Sequence, residues 1–550
     1  MKWEISDFDA LGRIGKLTIN NKHMITPNLF PVVHPYKNII SASELKKLGA
    51  QSVFTNAYII YQNLDLREKV LEEGVHKYLK FDGIVATDSG AFQKYFYNKT
   101  SFHINAEEIE GFQEDIGSDF PVILDEPVQP DDDYETTRIK INTTVQRAKD
   151  NIERRKRASS YWFGPIHGAK FPDLLKTCTV EMSKLDFGVF AIGGLVKLFL
   201  NYRFELVIKA LLCVKENIVP NKPIHMFGLG LPQFFSLAVA CGCDLMDSAA
   251  YILFARENRY FTLSTGTKKL EELDEFPCHC PICCEYIPKE MQKFDDNLRT
   301  KLIAKHNLYL SFSELRTIRQ AIKEGNLWEL VEQRIRNHPN LVNAAKLIKS
   351  NLPFFEAHEK LYKTHGRLYA SPESINRPLF HRYELRLRNN YRVPKEAKFL
   401  ILLPELDVKG EKSPSINTWF EELDNNLIIP REFLHIGFIS AFYGIIPLEL
   451  TKTFPMGQYE SINILEIDDI VNKTMIQKIL NFFEMHSHHY DKCGILSPAF
   501  YINQFNEKVE FSNDNQINKI VDLATSKLNL NISAFKEISQ LLQFFKDERK

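Results

Sequence analysis

At 550 residues the chain is too long for one hydrophobic core, so more than one domain is expected. Hydrophobic residues make up 44% and charged residues 25%, which is ordinary for a folded enzyme, and no apolar run is long enough to span a bilayer. A formal net charge of −1 argues against a uniformly basic nucleic-acid binder and directs attention to local patches.

The opening residues, Met1-Lys2-Trp3-Glu4-Ile5-Ser6-Asp7, contain no apolar h-region, so no secretion signal is expected, and a cytoplasmic location is. Through the first half of the chain, short apolar runs alternate with longer amphipathic stretches. Strands are predicted at Leu29–Val33, Ser52–Thr55, Gly83–Thr87, Pro121–Leu124, Trp162–His167, Gly188–Ile192, Pro223–Phe227 and Asp244–Met246. Intervals of roughly 20 to 40 residues are βα-unit spacing, and eight such units predict an α/β fold, a (β/α)8 TIM barrel. The later runs end in Asp88-Ser89-Gly90, Asp125-Glu126, His167-Gly168, Gly193-Gly194, Gly228-Leu229-Gly230 and Asp247-Ser248. In such a barrel the chemistry sits at the C-terminal ends of the strands. One aspartate there would read as a helix N-cap; the succession of them reads as a site. The run Arg154-Arg155-Lys156-Arg157 reads as a solvated helix surface.

Nine cysteines are unevenly placed, with four crowded at Cys278, Cys280, Cys283 and Cys284. A disulfide framework would spread them, so the pattern points to a reducing compartment and a metal cluster. The C-x-C-x-x-C spacing of Cys278, Cys280 and Cys283 can aim three thiolates at one zinc ion. Cys284, His279 and His306 are candidates for the fourth ligand. Cys284 is adjacent to a ligand and His279 lies between two, so His306, in the helical region that follows, is preferred. A full set of protein ligands makes this zinc structural.

Residues 296–350 read as helical, with Leu308, Phe312, Leu315, Ile318 and Ile322 forming a core stripe. After Pro353 the character changes. From Lys360 to Lys395 there are nine Lys/Arg against two acidic residues, with Arg377, Arg382, Arg386, Arg388 and Arg392 interleaved with Tyr369, Phe380, Tyr383 and Tyr391. That mixture suits phosphate and base contacts and also suits a solvated linker. Phe399–Leu403 reads as a strand and Phe433–Ile446 as a largely apolar segment. The expected organisation is a TIM-barrel catalytic domain, 1–350, with the zinc site at 278–306; a basic linker or helical segment, 351–396; and a smaller α+β C-terminal domain, 397–550.

These residues resemble the tRNA-guanine transglycosylase family in its archaeal branch. The resemblance is carried by Thr87-Asp88-Ser89-Gly90-Ala91-Phe92-Gln93, Thr55-Asn56-Ala57-Tyr58-Ile59-Ile60-Tyr61, Ala191-Ile192-Gly193-Gly194, His225-Met226-Phe227-Gly228-Leu229-Gly230 and Gly242-Cys243-Asp244-Leu245-Met246-Asp247-Ser248-Ala249, with the cysteine block and His306-Asn307-Leu308. It covers roughly residues 10–340. Phe442–Pro447 and Pro455–Tyr459 resemble a part shared by archaeal transglycosylases and archaeosine synthases.

The resemblance implies exchange of a D-loop guanine (position 15) in tRNA for 7-cyano-7-deazaguanine (preQ0), on the way to archaeosine. By motif position, Asp247 is the implied nucleophile and Asp88 the implied acid–base partner. Phe92 is expected to stack on the purine, Asp125 to read its donor edge, and His167, Gly193, Gly194 and Leu195 to line the pocket. Expected partners are tRNA and a 7-deazaguanine base, with a second copy of the chain and a separate PUA-bearing subunit as protein candidates and no membrane.

The sequence departs from the family pattern in three places. His167 stands where glutamine is usual, Val196–Leu200 replaces a proline and an acidic residue, and Leu231 replaces a histidine. After Phe511 the chain reads as polar helices without the glycine-rich β pattern of a PUA domain. The competing readings are an archaeosine synthase-like paralogue and a non-catalytic tRNA-binding subunit. The synthase lacks support from a Pro-Cys-Ser motif, the candidate strand giving Leu403-Pro404-Glu405-Leu406, and both Asp88 and Asp247 are present.

Overall fold

The computed structural model describes the chain except for residues 92–104, 157–160, 407–412, 427–428, 463–468, 504, 512–513 and 547–550. The chain divides into two compact units, Met1–Ser350 and Asn351–Lys550.

The first unit opens with an antiparallel sheet of β1 (Lys2–Asp9), β2 (Gly12–Ile19) and β3 (Lys22–Thr26), a feature absent from the sequence expectations. Leu17, Ile19 and Met24 turn inward and join the core of the strands that follow. The polar side chains of this sheet reach the N-terminal ends of those strands. Arg13 Nε donates to Asp244 at 3.0 Å, and Asp244 also accepts from the Ile224 amide at 2.9 Å. Lys22 Nζ pairs with Asp119 at 2.9 Å, and Gln51 accepts from the Ile25 amide at 2.8 Å. Removing one partner of a buried pair such as Arg13–Asp244 costs roughly 3–5 kcal/mol, more than an exposed pair contributes. The sheet is therefore fastened over one end of the strand array.

Eight parallel strands follow: β4 (Asn28–Pro31), β5 (Ser52–Asn56), β6 (Ile84–Asp88), β7 (Phe120–Pro121), β8 (Phe163–Ile166), β9 (Val189–Ile192), β10 (Ile224–Met226) and β11 (Leu245–Ser248). They pair as β4-β11-β10-β9-β8 and as β5-β6-β7. Single parallel bridges, Val32–Phe54 and Val122–Phe163, join the two sheets at both seams. The parallel sheets are consistent with a (β/α)8 barrel. Each predicted strand overlaps an observed one. The last is displaced, so that Asp247 lies within β11 rather than beyond it. Phe30, Phe54, Phe120 and Phe163 fill the interior beside Ala86 and Ala191, large against small.

Beyond β11 a hairpin of β12 (Arg259–Thr262) and β13 (Gly266–Lys269) leads to a 29-residue helix, Asp296–Glu324. Asp295 caps its first turn by accepting from the Asn297 and Leu298 amides, and Gly325 ends it at φ +72°, in the left-handed region. Leu308, Phe312, Leu315, Ile318 and Ile322 are buried along it.

The second unit is built on a five-stranded sheet. Its strands are β15 (Phe399–Pro404), β16 (Leu434–Ser440), β17 (Gly444–Pro447), β19 (Lys492–Leu496) and β22 (Ile532–Phe535), in the order β17-β16-β15-β19-β22. The pairs β14 (Arg367–Tyr369) with β18 (Tyr459–Ser461), and β20 (Phe500–Ile502) with β21 (Lys508–Glu510), lie outside it. Only β16–β17 is antiparallel in the main sheet, and helices alternate with its strands. The unit is thus closer to α/β than to the α+β arrangement expected. The stretch expected as a basic linker is packed into this unit: Tyr369, Phe380, Tyr383 and Leu387 belong to the same core as the sheet. Among the described residues no helix is long and apolar enough to cross a membrane.

Candidate active site

The N-terminal sheet covers one end of the strands, and the C-terminal ends carry the chemistry-bearing residues. Three aspartates there are each held by a side chain from the neighbouring strand or its end. Asp88 closes β6 and accepts from Asn56 Nδ2, at the paired position of β5, at 3.0 Å. Its other oxygen accepts from the Gly90 amide at 3.1 Å. Gly90 has φ +92°, and a Cβ there would meet Tyr58 Cβ at 2.3 Å, so only glycine makes this turn.

Asp125 follows β7 and lies 2.7 Å from His167 Nε2, just past β8. Arg147 donates to the carbonyls of Leu124 and Asp125 at 3.0 and 3.1 Å, fixing the backbone that carries the carboxylate. His167 is buried, and its Nδ1 has no hydrogen-bond partner among the described residues. Gly193 lets the imidazole approach: a Cβ there would sit 2.3 Å from His167 Cε1. Gly194, at φ +76°, packs closely on the Val128 carbonyl, and Leu195 is fully buried behind them.

Asp247, on β11, receives two donors on one oxygen. His225 Nε2 lies 2.8 Å from Oδ1, and the Gly228 amide donates to it at 3.2 Å. The remaining carboxylate oxygen has no protein partner among the described residues. The arrangement gathers three carboxylates, two imidazoles and a glycine-lined backbone at one end of the strands. Such a set can supply a nucleophile, an acid–base group and donors and acceptors for a planar heterocycle.

Residues 7–340 match the family model described as queuine tRNA-ribosyltransferase. The chain belongs to the tRNA-guanine transglycosylase family, in its archaeal form. It is a pentosyltransferase, with tRNA as the implied substrate. Among relatives, the tRNA-guanine(15) transglycosylase of Methanococcus maripaludis is 37% identical over 515 residues, covering 92% of this chain and 76% of the relative. That of Methanocaldococcus jannaschii is 36% identical over 521 residues, covering 94% and 77%. That of Thermococcus kodakarensis is 40% identical over 381 residues, covering 69% and 65%.

Of the pocket residues expected from this transglycosylase family, Phe92 lies outside the described residues. Asp88, Asp125, His167, Gly193, Gly194, Leu195 and Asp247 lie on adjacent strand ends. His225 and Asn56 received no role from sequence reasoning, although both lie within the family-like blocks. A histidine inside an apolar strand ordinarily reads as core, and an asparagine before a helix as a cap. Asn56 is also a cap: its Oδ1 accepts from the Ile59 amide at 2.8 Å.

Cys278, Cys280, Cys283 and His306 bring their ligand atoms within 4.8 Å of one another, a cluster that could hold a metal ion. Cys280 Sγ and Cys283 Sγ are 3.5 Å apart and lie 3.5 and 3.4 Å from His306 Nδ1. His306 Nε2 is 2.9 Å from the Phe261 carbonyl, which takes its proton and leaves Nδ1 to face the sulfurs. Tyr260 stacks on the imidazole at 3.6 Å, and its hydroxyl is 3.1 Å from Cys283 Sγ. Burial and the neighbouring cysteines push that hydroxyl well above its ordinary pKa, so it stays protonated. Cys284 and His279 are exposed and outside the cluster.

Proposed function

We propose that this chain exchanges the guanine at position 15 of tRNA for preQ0 by double displacement, on a closed (β/α)8 barrel. The position follows the activity of its archaeal relatives, the tRNA-guanine(15) transglycosylases. The observation that carries the mechanism is the set of three strand-end aspartates, each oriented by a donor from the adjacent strand.

Asp247 is the proposed nucleophile. Cleaving the N-glycosidic bond builds positive charge on the ribose, and a carboxylate traps it as a covalent ester at C1′. Asp88 is the proposed acid–base group, protonating the leaving guanine and deprotonating the incoming base. Asp125, with His167 behind it, reads the donor edge of the heterocycle. Gly193, Gly194 and Leu195 form the pocket wall, and Phe92, by its place in the family block, supplies the stacking ring.

The metal cluster is proposed as a structural zinc site. With bonds of about 2.3 Å to sulfur and about 2.0 Å to nitrogen, the ligands of one tetrahedral zinc lie roughly 3.5–3.8 Å apart. The spacings within Cys280, Cys283 and His306 suit that tetrahedron. When bound, the ion cross-links the cysteine loop to the long helix, and four protein ligands leave it no open position for substrate.

The test is exchange of labelled guanine in tRNA by the purified chain, repeated with guanine, preQ0 and other 7-deazaguanines as the incoming base. Label exchange with preQ0 preferred is the expected result. A chain that binds tRNA and exchanges nothing would be a non-catalytic binding subunit, and the proposal would fall. Conversion of an installed nitrile without exchange would identify a synthase instead.

A further inference from the structure

His225 is a fully buried side chain in β10 whose ring is enclosed by phenyl groups. Ring-centroid distances are 5.9 Å to Phe30, 6.2 Å to Phe54, 5.0 Å to Phe163 and 5.0 Å to Phe227. An apolar side chain would fill this box without penalty. A histidine brings two polar nitrogens into it, and only one finds a partner. Nε2 meets Asp247 Oδ1 at 2.8 Å, whereas Nδ1 has no hydrogen-bond partner among the described residues. Leaving a buried polar atom unpaired costs stability, so the paired nitrogen must return something that an apolar ring could not.

The arrangement fixes the tautomer. A carboxylate oxygen only accepts, so the proton belongs on Nε2 and Nδ1 is left as a bare lone pair. A second proton on Nδ1 would bury a cationic N–H among phenyl rings with no acceptor. The imidazole therefore donates to the aspartate through Nε2 and orients it.

It also sorts the two carboxylate oxygens. Oδ1 takes both His225 Nε2–H and the Gly228 amide, at 2.8 and 3.2 Å. Gly228 can present that amide because it sits at φ +78°, where a Cβ would meet Val196 Cγ2 at 2.6 Å. Oδ2 has no protein partner among the described residues.

We propose that His225 is the positioning residue of the nucleophile, holding Asp247 Oδ1 through Nε2–H so that Oδ2 faces ribose C1′. The inference rests on the reading of Asp247 as nucleophile. In the first displacement Oδ2 donates an electron pair to C1′ as the C1′–N9 bond breaks and its pair leaves with the protonated guanine. Oδ1 then becomes the ester carbonyl, still held by the same two donors. In the second, N9 of the incoming base gives its proton to Asp88 and attacks C1′, the C1′–Oδ2 bond breaks, and its electron pair returns to the carboxylate. The donors on Oδ1 stabilise that returning charge, so His225 serves both halves of the reaction without touching substrate.

The test compares His225→Phe, which fills the phenyl box and lacks the donor, with His225→Gln, whose amide can donate from a similar reach. For His225→Phe the rate of covalent adduct formation and kcat are each expected to fall about 10- to 100-fold, the effect of removing one donor from a charged oxygen. KM for the free base should stay within about threefold, since the base contacts lie on other strands. His225→Gln should recover most of the rate. Equal losses in both variants, or a change confined to KM, would make His225 a packing residue and overturn the proposal.

Asp247→Ala is run in parallel. If it still forms the adduct, the nucleophile assignment itself fails. If it forms none while His225→Phe matches the wild type, only the positioning role fails. Should His225→Phe not fold, nitrogen-15 spectra of the wild-type imidazoles decide the matter without substitution. A proton on Nε2 of His225 is expected, and an Nδ1–H tautomer with bare Nε2 would overturn the proposal.

Discussion

Asn56 Nδ2 donates to the Asp88 carboxylate at 3.0 Å across directly paired positions of β5 and β6. The amide cannot flip freely, because its Oδ1 is engaged by the Ile59 amide at the start of the next helix. One side chain thus caps a helix and aims an aspartate. If Asp88 moves the proton between base and solvent, Asp88→Asn should lower base exchange about 10²- to 10⁴-fold, the usual worth of a positioned acid–base group. Asn56→Asp keeps the cap and places a second carboxylate against Asp88. Like charges disfavour ionisation, so the acidic limb of the exchange rate should move to higher pH. Rate–pH profiles of wild type and Asn56→Asp check this, and coincident acidic limbs would count against Asp88 as the titrating group.

The metal cluster gives a second expectation. His306 has its tautomer fixed by the Phe261 carbonyl, so both the hairpin β12–β13 and the long helix are tied to the same site. Zinc binding in small sites is coupled to folding with apparent energies of roughly 10 kcal/mol, far beyond the ~1 kcal/mol of a helix cap. Cys280→Ser should therefore lose the metal and thermal stability together. Metal analysis should find one zinc per wild-type chain. A zinc-free wild type with unchanged melting would defeat the reading.

The strands were legible because strands covered on both faces read as continuous apolar runs, and because several of these runs end in aspartate, histidine or glycine. Val189–Ile192, followed by Gly193, and Ile84–Asp88 are examples. The opening sheet was not legible: β1 exposes most of its residues, and its pattern resembles a polar terminus. Its role depends on Arg13 finding Asp244, a partner 231 residues away that no local pattern announces. His306 could be chosen in advance because few residues can complete a cysteine cluster. His225 could not, because the role proposed for it lies in a cross-strand contact rather than a spacing. The segment after Lys360 misled for a related reason. Arg367, Arg377 and Arg382 look like a basic surface in sequence but are buried, Arg382 donating to Glu356 at 2.7 Å.

Asp119 gives an acid-dependent contribution to stability. Burial pushes its carboxyl up. His76, the Val85 amide and Lys22 together outweigh that and hold it below the ordinary aspartate range. A carboxyl depressed in the folded state stabilises fully above its unfolded value of about 3.9, and that contribution is lost as pH falls through the folded value. Asp119→Asn should therefore destabilise the chain at pH 7, with the gap to wild type closing below about pH 4. Urea unfolding at neutral and acid pH measures it, and a gap that does not change with pH would rule out this linkage.

The last expectation concerns how tRNA is held. Arg386 and Arg388 lie in the last turn of the helix Pro378–Asn389, where positive charge also suits the helix dipole. Both are exposed. Neither guanidinium has a protein partner among the described residues, in contrast to the buried Arg382 one turn earlier. Arg386 borders a cleft of about 330 Å³ lined also by Tyr391, Arg392, Phe454 and Met456, so cationic and apolar side chains share it. Binding to phosphate supplies most nonspecific affinity for nucleic acid and weakens steeply with salt. If these arginines meet the tRNA backbone, Arg386→Glu with Arg388→Glu should weaken tRNA binding and flatten its dependence on salt, by about one unit of slope for each phosphate no longer neutralised. Binding of the free base should be unchanged, because the pocket proposed for it is formed by strand ends of the other unit. Arg382→Glu would not be informative, since it breaks a buried ion pair and destabilises the unit itself. Titration of tRNA at several salt concentrations separates the outcomes. Equal affinities and equal slopes in wild type and the double variant would assign these arginines to solvent.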